Sequence, residues 1–400
     1  MHIATDRCIS IPSEVKAPNR PHEDIDASLS EIEIGSSTDA IDALAPEWLA
    51  LQRLSGPSAV FQNHAQIRIW ARHFLHDGSR LHVALVRKNG YPVLILPLVI
   101  SGPPYLRIAR LTGDPIAQYS EILVDPAADI HTAFRAAFET VKAAGADAIV
   151  LRRVRADSNI LALANPYARL GISPRVAPYA ELSSFPTPAA YLESLSKNMR
   201  KGLRNRRHHL AKAGDIRFQM LVGGAEARNA LADAIALKRR WLIDRGEVSA
   251  AILDPHTRDC LLDFAGDAHT GAVLMRLTVN GETAAIRLGF EHLGTHFAYL
   301  SAYDERSAHL APGKMLMDFC ISMSLERGLK RIDMLPPGGR HKSDWCRSES
   351  TVADYTLPLT PTGHAYAKLY QEHFRPALRR TWQSMPGALR SLIAARIIGF

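Results

Sequence analysis

The stretch VALVRKNGYPVLIL, residues 83–96, consists of two apolar runs that meet at Asn89-Gly90. The stretch VLMRLTVNGETAAI, residues 273–286, repeats this pattern around Asn280-Gly281. Asn-Gly between apolar runs strongly indicates a β-hairpin, because both central residues of its tight turn need positive φ angles. The sequence therefore predicts one hairpin in each half of the chain.

Similar elements follow each hairpin at similar distances along the chain. In the first half we expect a helix over residues 132–144 and a strand over 148–151. In the second half we expect a helix over 312–327 and a strand over 332–335, and in both halves a glycine separates the helix from the strand. This repetition predicts two tandem copies of one α/β domain with mixed sheets.

Composition limits the class of protein without choosing a function. The chain has 400 residues, of which 47% are apolar and 22% charged, which is ordinary for globular domains. Its net charge of +8 is compatible with a phosphate-bearing cofactor, RNA or an anionic membrane surface. The four cysteines are far apart and form no CxxC pair, so neither a disulfide framework nor a metal site is expected. Since no secretory signal or membrane-spanning run is visible, we expect a cytoplasmic protein.

Changes in composition suggest four segments. Residues 1–30 are polar and proline-containing and are expected to be poorly ordered. We predict an N-terminal domain over 31–182 and a C-terminal domain over 183–362, joined at a stretch rich in serine and proline. Residues 363–400 end in a basic amphipathic helical tail. This tail is expected to pack on the body or on a second subunit, and contact with an anionic membrane is the alternative.

The second half begins with a basic segment, which we expect to form one long helix over residues 189–213. Seven lysines and arginines lie between Lys197 and Lys212, around apolar positions at helical spacing. The plain interpretation is a helix with one solvated face. The alternative is a surface for an anionic substrate or for RNA phosphates.

The segment after residue 303 has the sequence features of a phosphate-binding site at a helix start. A strand, a loop and a helix start follow one another, and the helix start contains Pro312, Gly313, Lys314, Met315 and Leu316. The first turn of a helix has unpaired N–H groups and a positive dipole, which favour an anion. Proline-glycine at a helix start is also common without any ligand.

Asp333 interrupts an apolar strand, where a carboxylate should either face a cleft or have a partner. Lys342 is a nearby cation in the sequence, so a structural salt bridge between them is one interpretation. A carboxylate in an apolar site can also serve as a general base for an amine. The residues alone leave both interpretations open.

At this point the sequence resembles a known family. Residues 191–345 resemble the CelD-type (cellulose biosynthesis-like) acyltransferase domain, a branch of the GNAT acetyltransferase superfamily related to the FemAB peptidyl transferases. The matching features are the basic stretch 195–207, the helix segment 238–241, Asn280-Gly281 with Ala284-Ala285, the strand end 302–304, Pro312-Gly313, and Asp333 with Gly338 and residues 342–345. The first half fits more loosely, through Trp48, Phe61 and Phe74. In the relatives two GNAT-like domains lie in tandem.

The resemblance implies direct transfer of an acyl group from acetyl-CoA, or another acyl-CoA, to an amine. The acceptor would be a small molecule or a glycan or cell-envelope precursor, and no metal is expected. The resemblance places the diphosphate of coenzyme A over residues 312–316. It implies Asp333 as base or substrate anchor, Lys342 as electrostatic stabiliser and Asp304 near the cleft. For substrate contacts we expect the aromatic residues Trp241, Tyr303 and Trp345.

Departures from the family pattern keep two other functions open. Ala311 occupies a position that is usually serine, His341 one that is often tyrosine, and the closely spaced glycines of the common GNAT phosphate signature are absent. One alternative is a FemAB-like transferase that uses aminoacyl-tRNA, although no helical-arm insertion for tRNA is visible. The other is a non-catalytic GNAT-fold interaction protein. No DNA partner is expected.

Overall fold

The computed structural model describes residues 31–76, 78–165, 167–244, 252 and 254–385. One continuous mixed β-sheet runs through both halves of these residues. Its strands lie in the order β1-β2-β3-β4-β6-β13-β7-β12-β11-β10-β9-β8, and β5 pairs with β3. Helices cover both faces, which confirms the predicted mixed α/β class.

The strands are β1 Glu31–Gly35, β2 Arg80–Lys88, β3 Tyr91–Ser101, β4 Ile108–Leu111, β5 Leu123–Val124, β6 Ala148–Arg155, β7 Arg169–Glu181, β8 Ile216–Leu221, β9 Ala272–Val279, β10 Glu282–His292, β11 Thr295–Tyr303, β12 Arg331–Asp333 and β13 Ser348–Pro358. The α-helices are α1 Thr38–Ala43, α2 Ala45–Leu54, α3 His64–Phe74, α4 Ile130–Ala143, α5 Asn159–Ala164, α6 Pro188–Ser194, α7 Lys197–Ala211, α8 Gly224–Asp244, α9 Pro255–Gly266, α10 Pro312–Glu326, α11 Arg340–Ser343, α12 Pro361–Ala365 and α13 Arg375–Ser384. Short 3-10 helices span Pro57–Gln62, Ala268–Thr270 and Glu305–Leu310, and a π-helix spans Tyr366–Phe374.

Both predicted hairpins are confirmed. β2 pairs antiparallel with β3 and turns at Asn89 and Gly90, whose φ angles are 53° and 78°. β9 pairs antiparallel with β10 and turns at Asn280 and Gly281, whose φ angles are 53° and 83°. These positive angles explain why asparagine and glycine occupy the turns.

The helix and strand after each hairpin also recur. β4 and β6 are parallel and are joined across α4, while β11 and β12 are parallel and are joined across α10. A parallel pair needs such a crossover, because a tight turn can join only antiparallel neighbours. The repeated hairpin–crossover unit confirms the predicted repetition of one α/β unit in the two halves.

The last strand of each half lies beside a strand of the other half. β7 follows β6 in the chain but pairs with β12, whereas β13 follows β12 but pairs with β6. β7 and β13 also pair with each other over most of their length. This exchange joins the halves through main-chain hydrogen bonds, and sequence analysis identified neither strand.

The expectation of one basic helix over residues 189–213 was wrong. Leu195 has the extended angles φ −70° and ψ 162°, which end α6. The Ser196 hydroxyl then accepts a hydrogen bond from the Met199 N–H and caps α7. Because a serine cap satisfies the free amides of a new first turn, the segment forms two helices instead of one.

Three main hydrophobic clusters hold the helices on the sheet. The first lies on one face and is shared by both halves, since Trp48 and Phe61 of the first half occupy the same cluster as Phe264 and Phe290 of the second. The second cluster lies under α4 and α5. The third lies under α6, α7 and α10. A shared core and an exchanged strand together fix the relative position of the halves.

The described part of the tail consists of α12, the π-helix and α13. It packs on β7 and β13, where Gln371 lies against Gly171 and Arg375 faces Asp354. Packing on the body, the first expectation, therefore holds for this part. Residues 1–30 and 386–400, on which other expectations depended, lie outside the described residues. Among the described helices, none has the length and apolar character needed to cross a bilayer.

Candidate functional site

A gap opens in the sheet between β11 and β12. Their parallel register ends at Phe297 opposite Asp333, but β11 continues along β10 to Tyr303. The register of β10 and β11 shifts between Leu288 and Gly289, so that Tyr299 is an extra residue on β11. Such a bulge bends a strand and leaves its extra residue unpaired in the ladder. In open α/β sheets, crevices at the carboxyl ends of strands are the usual ligand sites.

The N-terminus of α10 carries the predicted phosphate-binding residues. Ala311 precedes the helix in a left-handed conformation with φ 51°, and no side chain caps this end. The Lys314 and Met315 N–H groups donate to the Ala311 carbonyl at 3.0 and 3.2 Å. The side chains of Met315 and Leu316 are buried in the third core cluster. Only the backbone near Gly313 and the side chain of Lys314 therefore remain for an anion.

The surroundings of Gly313 fit such a ligand. A Cβ atom added there would meet only the Tyr303 ring, at 4.0 Å. Lys314 Nζ lies 3.1 Å from Asp344 Oδ2, and both side chains are about one-third exposed. Because an exposed ion pair is weak, the lysine can exchange its partner for a phosphate.

Asp333 is placed at the point where β11 and β12 part. Its side chain is 1% exposed and accepts three hydrogen bonds: from the Tyr119 hydroxyl at 2.8 Å, Arg155 Nη1 at 2.7 Å and the Leu335 N–H at 2.8 Å. Tyr119 and Arg155 belong to the first half. Asp333 therefore links the two halves, and its cationic partner is Arg155 rather than Lys342.

Two opposing effects act on the pKa of Asp333. Burial raises the pKa above its usual value, and the Arg155 guanidinium and the hydrogen bonds from Leu335 and Tyr119 offset only part of this rise. Arg155 is fixed in turn by Asp157, which accepts from its Nε and Nη2, each at 2.8 Å. A guanidinium at 2.7 Å favours the ionised form, so we describe Asp333 as a positioned carboxylate.

Lys342 has a different environment from the one expected. Its amine donates to the carbonyl oxygens of Leu335 and Pro337 at 2.8 and 2.9 Å. Burial is the main cause of its lowered pKa. The lysine thus holds the loop after β12 in place, at the side of the gap, and the predicted salt bridge to Asp333 is not formed.

The remaining predicted site residues are Asp304 and the aromatic residues Tyr303, Trp345 and Trp241. Asp304 caps the 3-10 helix that follows it, and the pKa of its carboxyl is lowered by hydrogen bonds from Arg306. Tyr303 lies beside Gly313, whereas Trp345 is buried in the core and its carbonyl accepts a hydrogen bond from Tyr191. The amine of Lys238 lies 3.9 Å from the Trp241 ring centroid. Of the three predicted aromatic contacts, Tyr303 has the clearest place at the helix start.

A cavity of about 260 Å³ lies between the halves on the other side of Asp333. Its lining comprises Leu54, Ser55, Gly56, Pro57, Ser58, Glu121, Arg155, Asp157, Asn159, Thr295, Phe297, Arg331 and Asp333. Asp333 belongs both to this lining and to the last register pair of β11 and β12, so it is common to the cavity and to the edge of the gap. The lining contains three carboxylates and two guanidinium groups, those of Arg155 and Arg331, and Glu121 is the carboxylate whose partners are all uncharged.

Glu121 is a cavity residue whose pKa is strongly altered by burial. Its side chain accepts from the Ser58 hydroxyl at 2.9 Å and from the N–H groups of Ile122, Asn159 and Ile160 at 3.1–3.3 Å. Complete burial outweighs these hydrogen bonds and raises the pKa of Glu121 to about 7. A carboxylate with this pKa can exchange a proton at neutral pH. Sequence analysis missed it, although its position directly before the apolar run 122–124 resembles that of Asp333.

A protein-family model matches part of the second half of the chain. Residues 197–343 match the family model described as an acetyltransferase (GNAT) domain. No curated protein sequence matches the chain. This part of the second half is therefore similar to a GNAT-type acetyltransferase domain, which supports a transferase in general terms. The narrower CelD-type resemblance stays a prediction.

Solved structures share the fold over most of the chain at low identity. FemX has a TM-score of 0.56 at 12% identity, covering 74% of this chain and 92% of FemX. A conserved protein of unknown function from Bacteroides thetaiotaomicron has 0.53 at 12%, covering 82% of this chain and all of that one. The C-terminal domain of a putative lysylphosphatidylglycerol synthetase from Agrobacterium fabrum has 0.51 at 12%, covering 83% and 95%. At this identity the likeness concerns the fold alone.

Proposed function

We propose that the protein is an N-acyltransferase that transfers an acyl group from a coenzyme A thioester to an amine. The main supporting observation is the position of Asp333, which ends the register of two diverging strands and also lines a cavity between the halves. A donor entering the gap and an acceptor entering the cavity would meet at this residue. Such an arrangement permits direct transfer without a covalent enzyme intermediate.

The start of α10 is the proposed donor site. The Gly313 N–H and the helix dipole would bind the diphosphate, with Lys314 adding positive charge. The thioester supplies an activated acyl carbon when it is bound. The extra residue of the β11 bulge, Tyr299, offers its backbone N–H toward charge that develops on the acyl oxygen.

The cavity is the proposed acceptor site. Arg155 pairs with both Asp157 and Asp333, whereas the hydrogen-bond partners of Glu121 are a hydroxyl and backbone amides. An ammonium group entering here gains a favourable charge contact and must lose a proton before it can attack. With a pKa near 7, Glu121 can accept that proton. The amine nitrogen then bonds to the acyl carbon and the carbon–sulfur bond breaks. The nitrogen loses a second proton as the amide forms, and this proton goes to the departing sulfur, which leaves as the thiol.

Calorimetry with coenzyme A and a thiol-release assay test this proposal. Acetyl-CoA would be assayed against a panel of primary amines that includes amino sugars. We expect Glu121→Gln to lower kcat about 100-fold while coenzyme A affinity is kept, and Lys314→Ala to weaken affinity, with the exposed Lys330→Ala as control. Absence of heat at millimolar coenzyme A, with a correctly folded protein, would overturn the donor assignment.

An aminoacyl-tRNA donor is the second candidate, and the surface of α7 favours it. Met199, Leu203 and Leu210 are buried, while the basic residues Lys197, Arg200, Lys201, Arg204 and Lys212 are exposed. Such a face can bind a phosphate backbone, with an affinity that falls steeply with salt. A salt-sensitive tRNA gel shift that is lost in Arg200→Gln/Arg204→Gln, combined with no binding of coenzyme A, would favour this donor.

A further inference from the structure

Five arginines converge on the side of the central strands that faces the tail. They are Arg110 on β4, Arg152 and Arg153 on β6, Arg175 on β7 and Arg375 on α13, and we call them the arginine cluster. We propose that the arginine cluster is a binding site for a phosphate group, separate from the transfer site. The proposal does not depend on the acyltransferase assignment.

The carboxylates nearby do not balance this charge. Asp114 lies 3.8, 3.4 and 4.0 Å from nitrogens of Arg110, Arg152 and Arg153. Asp354 lies 3.1 and 3.5 Å from nitrogens of Arg175 and Arg375. Five cations and two anions leave a net charge of +3 at this place. Most of these pairs are also longer than a good charge-assisted hydrogen bond.

Hydrogen bonding in the arginine cluster is incomplete as well, although Arg153 Nη2 donates to the carbonyl oxygens of Pro115 and Ala117. The Nε atoms of Arg152, Arg153 and Arg175 are buried without a hydrogen-bond partner among the described residues. Leaving a buried donor unpaired costs free energy, so native proteins rarely keep several together. The five side chains nevertheless remain 21–37% exposed, so that an anion can reach them from solvent.

The backbone is distorted where two of these arginines are adjacent. Arg153 has φ 54°, which is uncommon for a residue other than glycine. The register between β13 and its neighbours shifts around Asp354, which accepts from the Arg153 N–H at 2.9 Å. In a regular strand consecutive side chains point to opposite faces. The distortion instead brings both Arg152 and Arg153 to Asp114.

Several converging guanidinium groups match the geometry of a phosphate, whose oxygens accept pairs of N–H donors. The phosphate could belong to a free metabolite or to a lipid headgroup. On the tail helices, close to Arg375, the exposed apolar side chains are Leu369, Tyr370, Phe374 and Leu378. Headgroup binding at the arginine cluster would bring this apolar face against a bilayer surface.

The test compares two double variants with the same loss of charge. Arg110→Gln/Arg152→Gln removes two members of the arginine cluster. Arg217→Gln/Arg258→Gln removes two arginines elsewhere, each paired with a nearby exposed aspartate. Both are made in the full chain carrying Lys314→Ala, so that binding at α10 does not contribute. Affinity for inorganic pyrophosphate is measured by calorimetry, and sedimentation is measured with phosphatidylglycerol–phosphatidylcholine vesicles and with phosphatidylcholine alone.

We expect the cluster variant to lose pyrophosphate affinity about tenfold or more, and the control less than about twofold. Vesicle binding that needs phosphatidylglycerol and is lost only in the cluster variant would identify a lipid headgroup as the source. Pyrophosphate binding without sedimentation would identify a free phosphate compound. Equal behaviour of the two variants, or no binding of either probe, would overturn the proposal. The cluster variant with Lys314 intact should still bind coenzyme A, which distinguishes this site from the transfer site.

Discussion

The two halves share one topology, but they differ in what lies between the two parallel strands that each crossover helix joins. In the first half, β4 and β6 are in register only up to Arg110 and Val150, and Ser120 then lies along β6. Its hydroxyl donates to the Arg152 carbonyl at 2.6 Å and accepts from the Arg152 N–H at 3.1 Å. In the second half, β11 and β12 part at Phe297 and Asp333. The first gap is therefore closed by the chain itself.

The crossover helices show the same difference. The first turn of α4 is capped by the Asp129 carboxylate, which accepts from the Thr132 N–H at 3.2 Å. The first turn of α10 follows Ala311 and has no side-chain cap. Because a carboxylate at a helix start occupies the position that a ligand phosphate would take, only the second half is suited to a donor. Under the proposed function, the repeated fold has one transfer site, to which the first half contributes Arg155, Tyr119 and Glu121.

The largest expected effect concerns the contact between the halves. Asp333→Ala removes the partner of a buried guanidinium and should lower the free energy of unfolding by about 3–5 kcal/mol. Urea denaturation measures this change. Asp344→Ala, which breaks the exposed pair with Lys314, is the control and should cost at most about 1 kcal/mol. Equal losses would mean that the buried pair does not hold the halves together.

Glu121 should make stability depend on pH. Its pKa is raised from 4.5 to about 7 in the folded protein, so its stabilising contribution is full below pH 4.5 and is lost as pH rises through 7. Relative to Glu121→Gln, the wild-type protein should lose about 3 kcal/mol between pH 4.5 and 8. Unfolding of both proteins across this range measures the difference. Parallel curves of the free energy of unfolding against pH would show that burial does not alter the pKa of this carboxyl.

A negative charge added at the start of α10 should make this helix start resemble that of α4. Ala311→Asp places a carboxylate where α4 has one and should weaken coenzyme A binding about tenfold, or about 1.4 kcal/mol. Ala311→Asn has nearly the same size and no charge, and it tolerates the left-handed backbone of this position. Calorimetry should therefore show a loss with aspartate only. The same loss with asparagine would point to shape rather than charge.

The smallest effect is expected in the first half. Asp129→Ala removes the cap of α4 and should lower stability by about 1 kcal/mol. Coenzyme A affinity should not change, because the first gap is closed by Ser120. Thermal unfolding and calorimetry on the same samples measure both quantities. A change in coenzyme A affinity would show that the first half also takes part in donor binding.

Sequence reasoning was successful where the signal was local. The Asn-Gly turns, the helix start at Pro312 and the isolated carboxylate Asp333 were all recognised from neighbouring residues. The partner of Asp333 was not, because Arg155 lies 178 residues away in the sequence and only the sheet brings them together. Lys342 is close to Asp333 in the sequence, but its amine donates to the carbonyl oxygens of the loop after β12.

The sequence by itself determined the repeated hairpins and crossovers, because turn geometry and apolar periodicity depend on residues within a few positions of one another. Only the tertiary structure decided that β7 and β13 are exchanged, that Glu121 is buried between the halves and that five arginines meet beside the tail. These arrangements depend on pairings between distant strands, and strand pairing is fixed by the packing of whole faces. The chemistry of the protein therefore follows from contacts that no single stretch of the chain specifies.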